Sequence, residues 1–190
     1  MIIQNKLKNE ISELLNSLPS EEVAIKFRQK LEEGNLTRDE DPKVHFCAYF
    51  AACDYKSKQL FIGHHIKSGL WLFNGGHIDK GESLRETVKR EINEEWGLDI
   101  NDLNVGFPVL LTATDINNPT KQTCRVHLDI WHFVNVDKNN FNPDPLKLAE
   151  EFYVAEWMDF KKARQVVSDK STLKAIDFIE SNYLSGSHKL

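Results

Sequence analysis

The sequence of 190 residues has no apolar run that approaches the roughly 20 residues a helix needs to cross a bilayer. Met1 to Glu10 alternate apolar and charged side chains and contain no signal-peptide core. Cysteine is scarce. Cys47, Cys53 and Cys124 make an odd set without metal-ligand spacing, so they are expected as reduced, mostly buried thiols of a cytoplasmic protein. Positive charge is also short, with 24 Lys and Arg against 29 Asp and Glu and a net charge of −5. That balance argues against the clustered basic surface a nucleic-acid partner demands. It leaves a small anionic substrate open, because a bound metal inverts the local sign. Internal repeats and low-complexity segments are missing too.

What is present fits one domain with a real core: 41% of residues are apolar and 28% charged. Residues 1–40 are expected as a helical extension and 41–190 as the main domain. Ile2 to Leu18 carry a helical stripe of Leu7, Ile11, Leu14 and Leu15. Pro19-Ser20 breaks it, and Ser20 is placed to cap a second helix through Val23, Ile25, Phe27 and Leu31 that Gly34 stops. Val44 to Cys53 reads as a buried strand, residues 54–58 as a turn, and Gln59 to His64 as the returning strand. Leu103 to Thr114 reads as one strand or two short ones, and Asp115 to Lys121 as a polar turn. Thr123 to Val136 is the longest strand signal. There Arg125, His127, Asp129 and Trp131 alternate with apolar residues and so share a face. That face suits either a substrate cleft, with Arg125 on phosphate and Trp131 stacked on a base or sugar, or a cross-strand polar cluster. Asp137 to Leu148 reads as a long loop, followed by Glu150, Glu151 and a strand from Phe152 to Trp157. Two closing helices, 159–167 and 171–184, complete the chain. The second is expected to start at a Ser171 cap and to bury Leu173, Ile176 and Ile179. This order implies an α+β architecture, an α/β/α sandwich around a mixed β-sheet, with an N-terminal helical hairpin.

The stretch from Gly76 to Leu98 carries the chemistry. Leu84, Val88 and Ile92 recur at helical spacing and can face a core. Glu91, Glu94 and Glu95 stand at i, i+3 and i+4, where like charges cost a helix roughly 0.2–0.5 kcal/mol per pair. Something cationic should offset that repulsion. Arg90 helps from the side, and three converging carboxylates suit a hard divalent cation such as Mg²⁺. Gly75-Gly76 permits a sharp turn before the helix, and Gly97 ends it.

Gly76, Glu82, Arg90, Glu91, Ile92, Glu94, Glu95, Gly97 and Leu98 fill every defined position of the pattern Gly-x5-Glu-x7-Arg-Glu-U-x-Glu-Glu-x-Gly-U, with U apolar. The stretch therefore resembles the Nudix box. The helical extension, together with His64 and Gly75-Gly76-His77, resembles a bacterial subgroup of that family. The resemblance implies Mg²⁺- or Mn²⁺-dependent cleavage of a diphosphate bond in a nucleoside diphosphate derivative or nucleoside triphosphate. It implies Glu91, Glu94 and Glu95 as metal ligands, with Glu82 bracing the preceding loop or binding metal through water, and Arg90 orienting the glutamates. A glutamate outside the box can serve as general base, which points by position to Glu150 or Glu151. Gly75, Gly76 and His77 fall where substrate phosphate is expected, although His64 and His77 fit a structural role equally. Asn74 stands where many members of the family have proline. The expected partner is a small molecule in the cytoplasm, with a homodimer left open. Other readings are a non-hydrolytic member of the fold, either an isomerase or a ligand-sensing domain, and an RNA 5′-end pyrophosphohydrolase. Ligand-sensing members typically lose box glutamates, and the negative charge disfavours RNA.

Overall fold

A computed structural model describes residues 2–18, 22–116 and 123–183. Helix α1 (Ile2–Ser17) is followed by α2 (Glu22–Glu33), which Gly34 ends in a left-handed conformation. The proposed Ser20 cap lies outside the described residues. In α2 the buried stripe is Ala24, Phe27 and Leu31 together with the stem of Lys30, whose ammonium meets Asp41 at 2.6 Å. Ile25, one of the apolar residues from which the helix was read, is exposed, because it falls one position off that stripe.

The strands follow as β1 (Val44–Asp54), β2 (Gln59–His65), β3 (Trp71–Leu72), β4 (Asn74–His77), β5 (Asn104–Val105), β6 (Leu110–Asp115), β7 (Val126–Asn135) and β8 (Phe152–Asp159). They form one mixed sheet along β3-β2-β1-β7-β5, with β4 added to β1, β6 to β7 and β8 to β2. β1 and β7 pair in parallel over ten residues, Val44↔Val126 to Cys53↔Asn135, while their other neighbours are antiparallel. Both central strands are buried on both faces, which explains their near-continuous apolar runs.

Two cores flank the sheet. On one face Phe46, Ala48, Phe50, Leu128 and Ile130 pack under α1, α2 and α3 (Leu84–Glu91). On the other, Ala51, Leu60, Trp131 and Phe133 pack under α5 (Phe160–Val166) and α6 (Lys170–Tyr183). The layers are helix, sheet, helix, as the sequence pattern implies. The hairpin is stitched to α3 directly: the Leu84 amide donates to Glu10 at 2.9 Å, and Lys6 pairs with Glu86 at 3.2 Å.

Two local expectations change. The stretch read as a loop up to Leu148 contains helix α4 (Pro145–Glu151), capped by Asp144 with Pro145 in its first turn. Glu150 and Glu151 are therefore helical. The cap of α6 is Asp169 in place of Ser171: its carboxylate accepts from the Thr172 amide at 2.7 Å. Among the described residues no helix is long and apolar enough to cross a membrane.

Candidate active site

The box helix begins at Ser83, whose hydroxyl accepts from the Glu86 amide while Glu86 accepts back from the Ser83 amide, a complete capping box. Leu84, Val88 and Ile92 face the core as their spacing requires. After Glu91 the ladder widens into one π turn, Ile92–Trp96, and Gly97 closes it at φ 67°. Such turns re-aim side chains and recur at functional sites. Here the turn leaves Glu94 on the exposed side and swings Glu95 back toward β4, so the three glutamates do not form the simple i, i+3, i+4 face of an ideal helix.

Arg90 is the hub. Its Nε and Nη2 grip both oxygens of Glu82 at 2.8 and 2.9 Å. Nη1 donates to Glu91 at 2.7 Å and to Glu94 at 3.1 Å, and Nη2 also reaches the carbonyl of His77 at 2.9 Å. This bidentate fork is geometry that lysine cannot supply. The Glu82 hydrogen bond, followed by that of Glu91, holds the Arg90 guanidinium above its ordinary pKa. Burial would raise Glu82, but hydrogen bonds from Arg90 and Thr87 leave it below the usual carboxylate range.

Glu91 is buried, and burial raises its pKa against the pull of Arg90. Its carboxylate lies against the backbone of Gly76: a Cβ there would stand 2.0 Å from Oε1. Gly76 is needed for that close approach, whereas Gly75, at φ +154°, lies against the backbone of Ala48 and Tyr49. Burial pushes Glu95 up to about 8, with Glu91 and Glu151 adding like charge and a hydrogen bond from Asn74 Nδ2 opposing them. A carboxylate held this way is balanced by either a proton or a cation. Asn74, the departure from the common proline, thus holds a box glutamate in place.

Glu151 comes from α4. The Asp144 amide donates to the Trp96 carbonyl at 2.7 Å, Lys147 donates to the Asn93 carbonyl, and Gly97 leaves room for Asp144. These contacts dock α4 on the end of the box helix and bring the Glu151 charge to bear on Glu95. Lys67 Nζ donates to both Glu151 oxygens at 2.9 Å, and His65 Nε2 stands 3.5 Å away.

The remaining candidates lie elsewhere. Trp131 is only 1% exposed, stacked on Tyr49 at 4.8 Å, and its indole N–H donates to Thr112 at 2.9 Å. A ring covered in this way packs the second core and does not stack on a base, which corrects the cleft reading of that face. Arg125 is exposed just before β7 and donates to the Cys124 carbonyl at 3.1 Å. His77 sends its carbonyl to Arg90 but its ring to His45 and His127, away from the glutamates. Ser83 and His45 were not singled out from the sequence, and Asn74 was noted only as the departure from proline, without its bond to Glu95. Ser83 with Glu86 three residues on carried the capping-box signal. His45 carried no local signal, and neither it nor Asn74 revealed its role, since those roles depend on partners elsewhere in the chain.

A model of the NUDIX domain matches residues 51–176. The chain belongs to the Nudix family, and with every box position intact it is a pyrophosphohydrolase acting on acid anhydrides. Among solved structures, the E. coli dihydroneopterin triphosphate pyrophosphohydrolase has a TM-score of 0.62 at 14% identity, covering 72% of this chain and 95% of that one. A NUDIX hydrolase from Listeria monocytogenes gives 0.60 at 19%, covering 76% and 98%. The MutT protein from Methanosarcina mazei gives 0.55 at 17%, covering 77% and 97%. At these identities the likeness is one of fold. No curated protein matches the chain.

Proposed function

We propose that this chain hydrolyses the diphosphate bond of a nucleoside diphosphate derivative or nucleoside triphosphate in the cytoplasm, using Mg²⁺ or Mn²⁺ held by Glu91, Glu94 and Glu95. The observation that carries this reading is the convergence of Glu82, Glu91 and Glu94 on one guanidinium, with Glu95 beside them. That surplus of negative oxygen is the donor set a hard divalent ion takes. When bound, the ion supplies polarisation of a phosphoryl oxygen and a water of lowered pKa.

The chain's own residues set the geometry. Arg90 fixes the rotamers of Glu82, Glu91 and Glu94. Glu82 has both oxygens occupied by Arg90 and Thr87, which supports a bracing role over direct ligation. Asn74 orients Glu95. Glu151, steadied by Lys67, takes the proton of the attacking water as general base. Gly75, Gly76 and His77 offer backbone groups along β4, where the diphosphate would lie.

The test is a panel of nucleoside triphosphates, sugar nucleotides, ADP-ribose, dinucleoside polyphosphates and dihydroneopterin triphosphate. The last is included because the E. coli neighbour carries its name. Each is assayed with Mg²⁺ and then Mn²⁺. The expected result is turnover that EDTA abolishes and that Glu95→Gln lowers by orders of magnitude, each factor of ten being about 1.36 kcal/mol of barrier. Wild-type turnover or wild-type Mn²⁺ binding by Glu95→Gln overturns the assignment.

A further inference from the structure

We propose that His45, Cys47, His77 and His127 form a second metal site, separate from the glutamate box, that takes a tetrahedral ion of the Zn²⁺ class. Three neighbouring strands supply the set. β1 gives His45 and Cys47, two residues apart and so on one face. The register places His127 of β7 beside His45 and His77 of β4 beside Cys47. One potential ligand atom from each residue lies within 4.8 Å of all the others. The three imidazoles form a nearly equilateral group, with ring centroids 4.9, 5.0 and 5.1 Å apart.

The ring nitrogens are left as a ligand set requires. His45 Nδ1 stands 2.8 Å from the carbonyl of Asp41, which can only accept, so this nitrogen carries the proton and Nε2 keeps its lone pair. That Nε2 is buried without a hydrogen-bond partner among the described residues, as is His127 Nδ1. His127 Nε2 meets His77 Nε2 at 3.4 Å. With bonds of ~2.0 Å to nitrogen and ~2.3 Å to sulfur, the tetrahedral neighbours of this set stand about 3.3–3.5 Å apart. That nitrogen pair already has the spacing, and the rest need a modest contraction. Burial holds all three rings in the neutral form that ligates, with His77 at about 3 and His127 at about 4.

The donors decide the metal. Three imidazoles and a thiolate are borderline-soft and favour Zn²⁺ or Co²⁺ over the Mg²⁺ that carboxylates select. The sheet separates the two sites: Gly76, against which Glu91 lies, pairs with Ala48, whereas His77 pairs with Cys47 on the opposite face. His77 joins them through its own backbone, since its carbonyl accepts from Arg90. An ion here pins the end of β4 from behind. With no place for an outside ligand in its fourth position, it is structural in character.

Co²⁺ titration of the metal-stripped full chain tests this by absorption. Wild type and Glu95→Gln should both show intense tetrahedral bands and a thiolate-to-metal charge-transfer band, displaced by one equivalent of Zn²⁺. Cys47→Ser should lose the charge-transfer band. His45→Gln should weaken Zn²⁺ binding at least tenfold. Circular dichroism reports whether each variant is folded. Only the weak bands of octahedral oxygen-bound Co²⁺ in wild type would overturn the site, a result that needs no variant to fold. Persistence of the charge-transfer band in Cys47→Ser would overturn the assignment as well, handing the thiolate role to Cys124, which stands 3.7 Å from His77 Nε2.

Discussion

At the scale of single residues, the box shows which parts of a site the sequence can express. The identities of Glu91, Glu94 and Glu95 were legible from spacing, but their aims were not, because Glu94 and Glu95 both lie in a π turn that leaves the first exposed and turns the second onto Asn74. Arg90 divides its donors among three carboxylates and a carbonyl, so its planar fork counts for more than its charge. Arg90→Lys should lower kcat/KM and weaken Mn²⁺ affinity about 10- to 100-fold, the usual cost of losing a group that orients metal ligands. A purely structural arginine would instead lower the melting temperature, with activity following the folded fraction. Trp131 makes the opposite case. Alternation placed it correctly on a face with His127 and Asp129, but alternation cannot tell a cleft from a second core. Trp131→Ala should cost about 3–5 kcal/mol in urea unfolding, the range for deleting a buried aromatic. A fully stable variant with a raised KM would return the residue to the substrate.

At the scale of elements, the joint between the box helix and α4 was hidden for a different reason. Asp144-Pro145 was a usable start signal, an N-cap followed by proline, yet the surrounding asparagines and prolines read as loop. What fixes α4 is tertiary: the Trp96 and Asn93 carbonyls accept from Asp144 and Lys147 across the chain. Gly97 allows this twice over, by its left-handed φ of 67° and by the absence of a Cβ that would stand 2.8 Å from that of Asp144. Gly97→Ala should therefore lower stability by about 1–3 kcal/mol. It should also speed amide exchange in residues 145–151 more than in β1. Uniform loss of protection would mean that α4 does not depend on this contact. Ser83→Ala probes the other end of the helix and should cost about 1 kcal/mol, since it leaves the Glu86 amide without its cap.

At the scale of the whole molecule, the helix–sheet–helix order and the packing of the hairpin were legible, because long apolar patterns survive without knowledge of partners. Register was not. The parallel pairing of β1 with β7 joins residues some eighty positions apart, and it alone places His45 beside His127 and Phe50 beside His132. His132 records what that burial costs. Its Nδ1 donates to the Gly106 carbonyl at 3.0 Å, and its Nε2 has no partner among the described residues. Burial, helped by the charge of Arg85 and opposed by the Gly106 bond, holds its pKa at about 4 in the folded protein, against 6.5 for an ordinary histidine. Between those values the unfolded chain binds the proton and the folded chain does not, so stability falls as pH falls. The stability tied to neutral His132 is present above pH 6.5 and is lost progressively toward about pH 4. His132→Leu keeps the volume and removes the titration, at the cost of the Gly106 hydrogen bond, which does not vary with pH. Its melting temperature should fall less steeply than that of wild type between pH 7 and pH 4.5, whatever its offset at pH 7. His45, His77 and His127 are lowered in the same direction, so some slope should remain in the variant. Parallel melting curves for the two proteins across that range would show that His132 is protonated equally in the folded and unfolded chains and would remove it from the acid response.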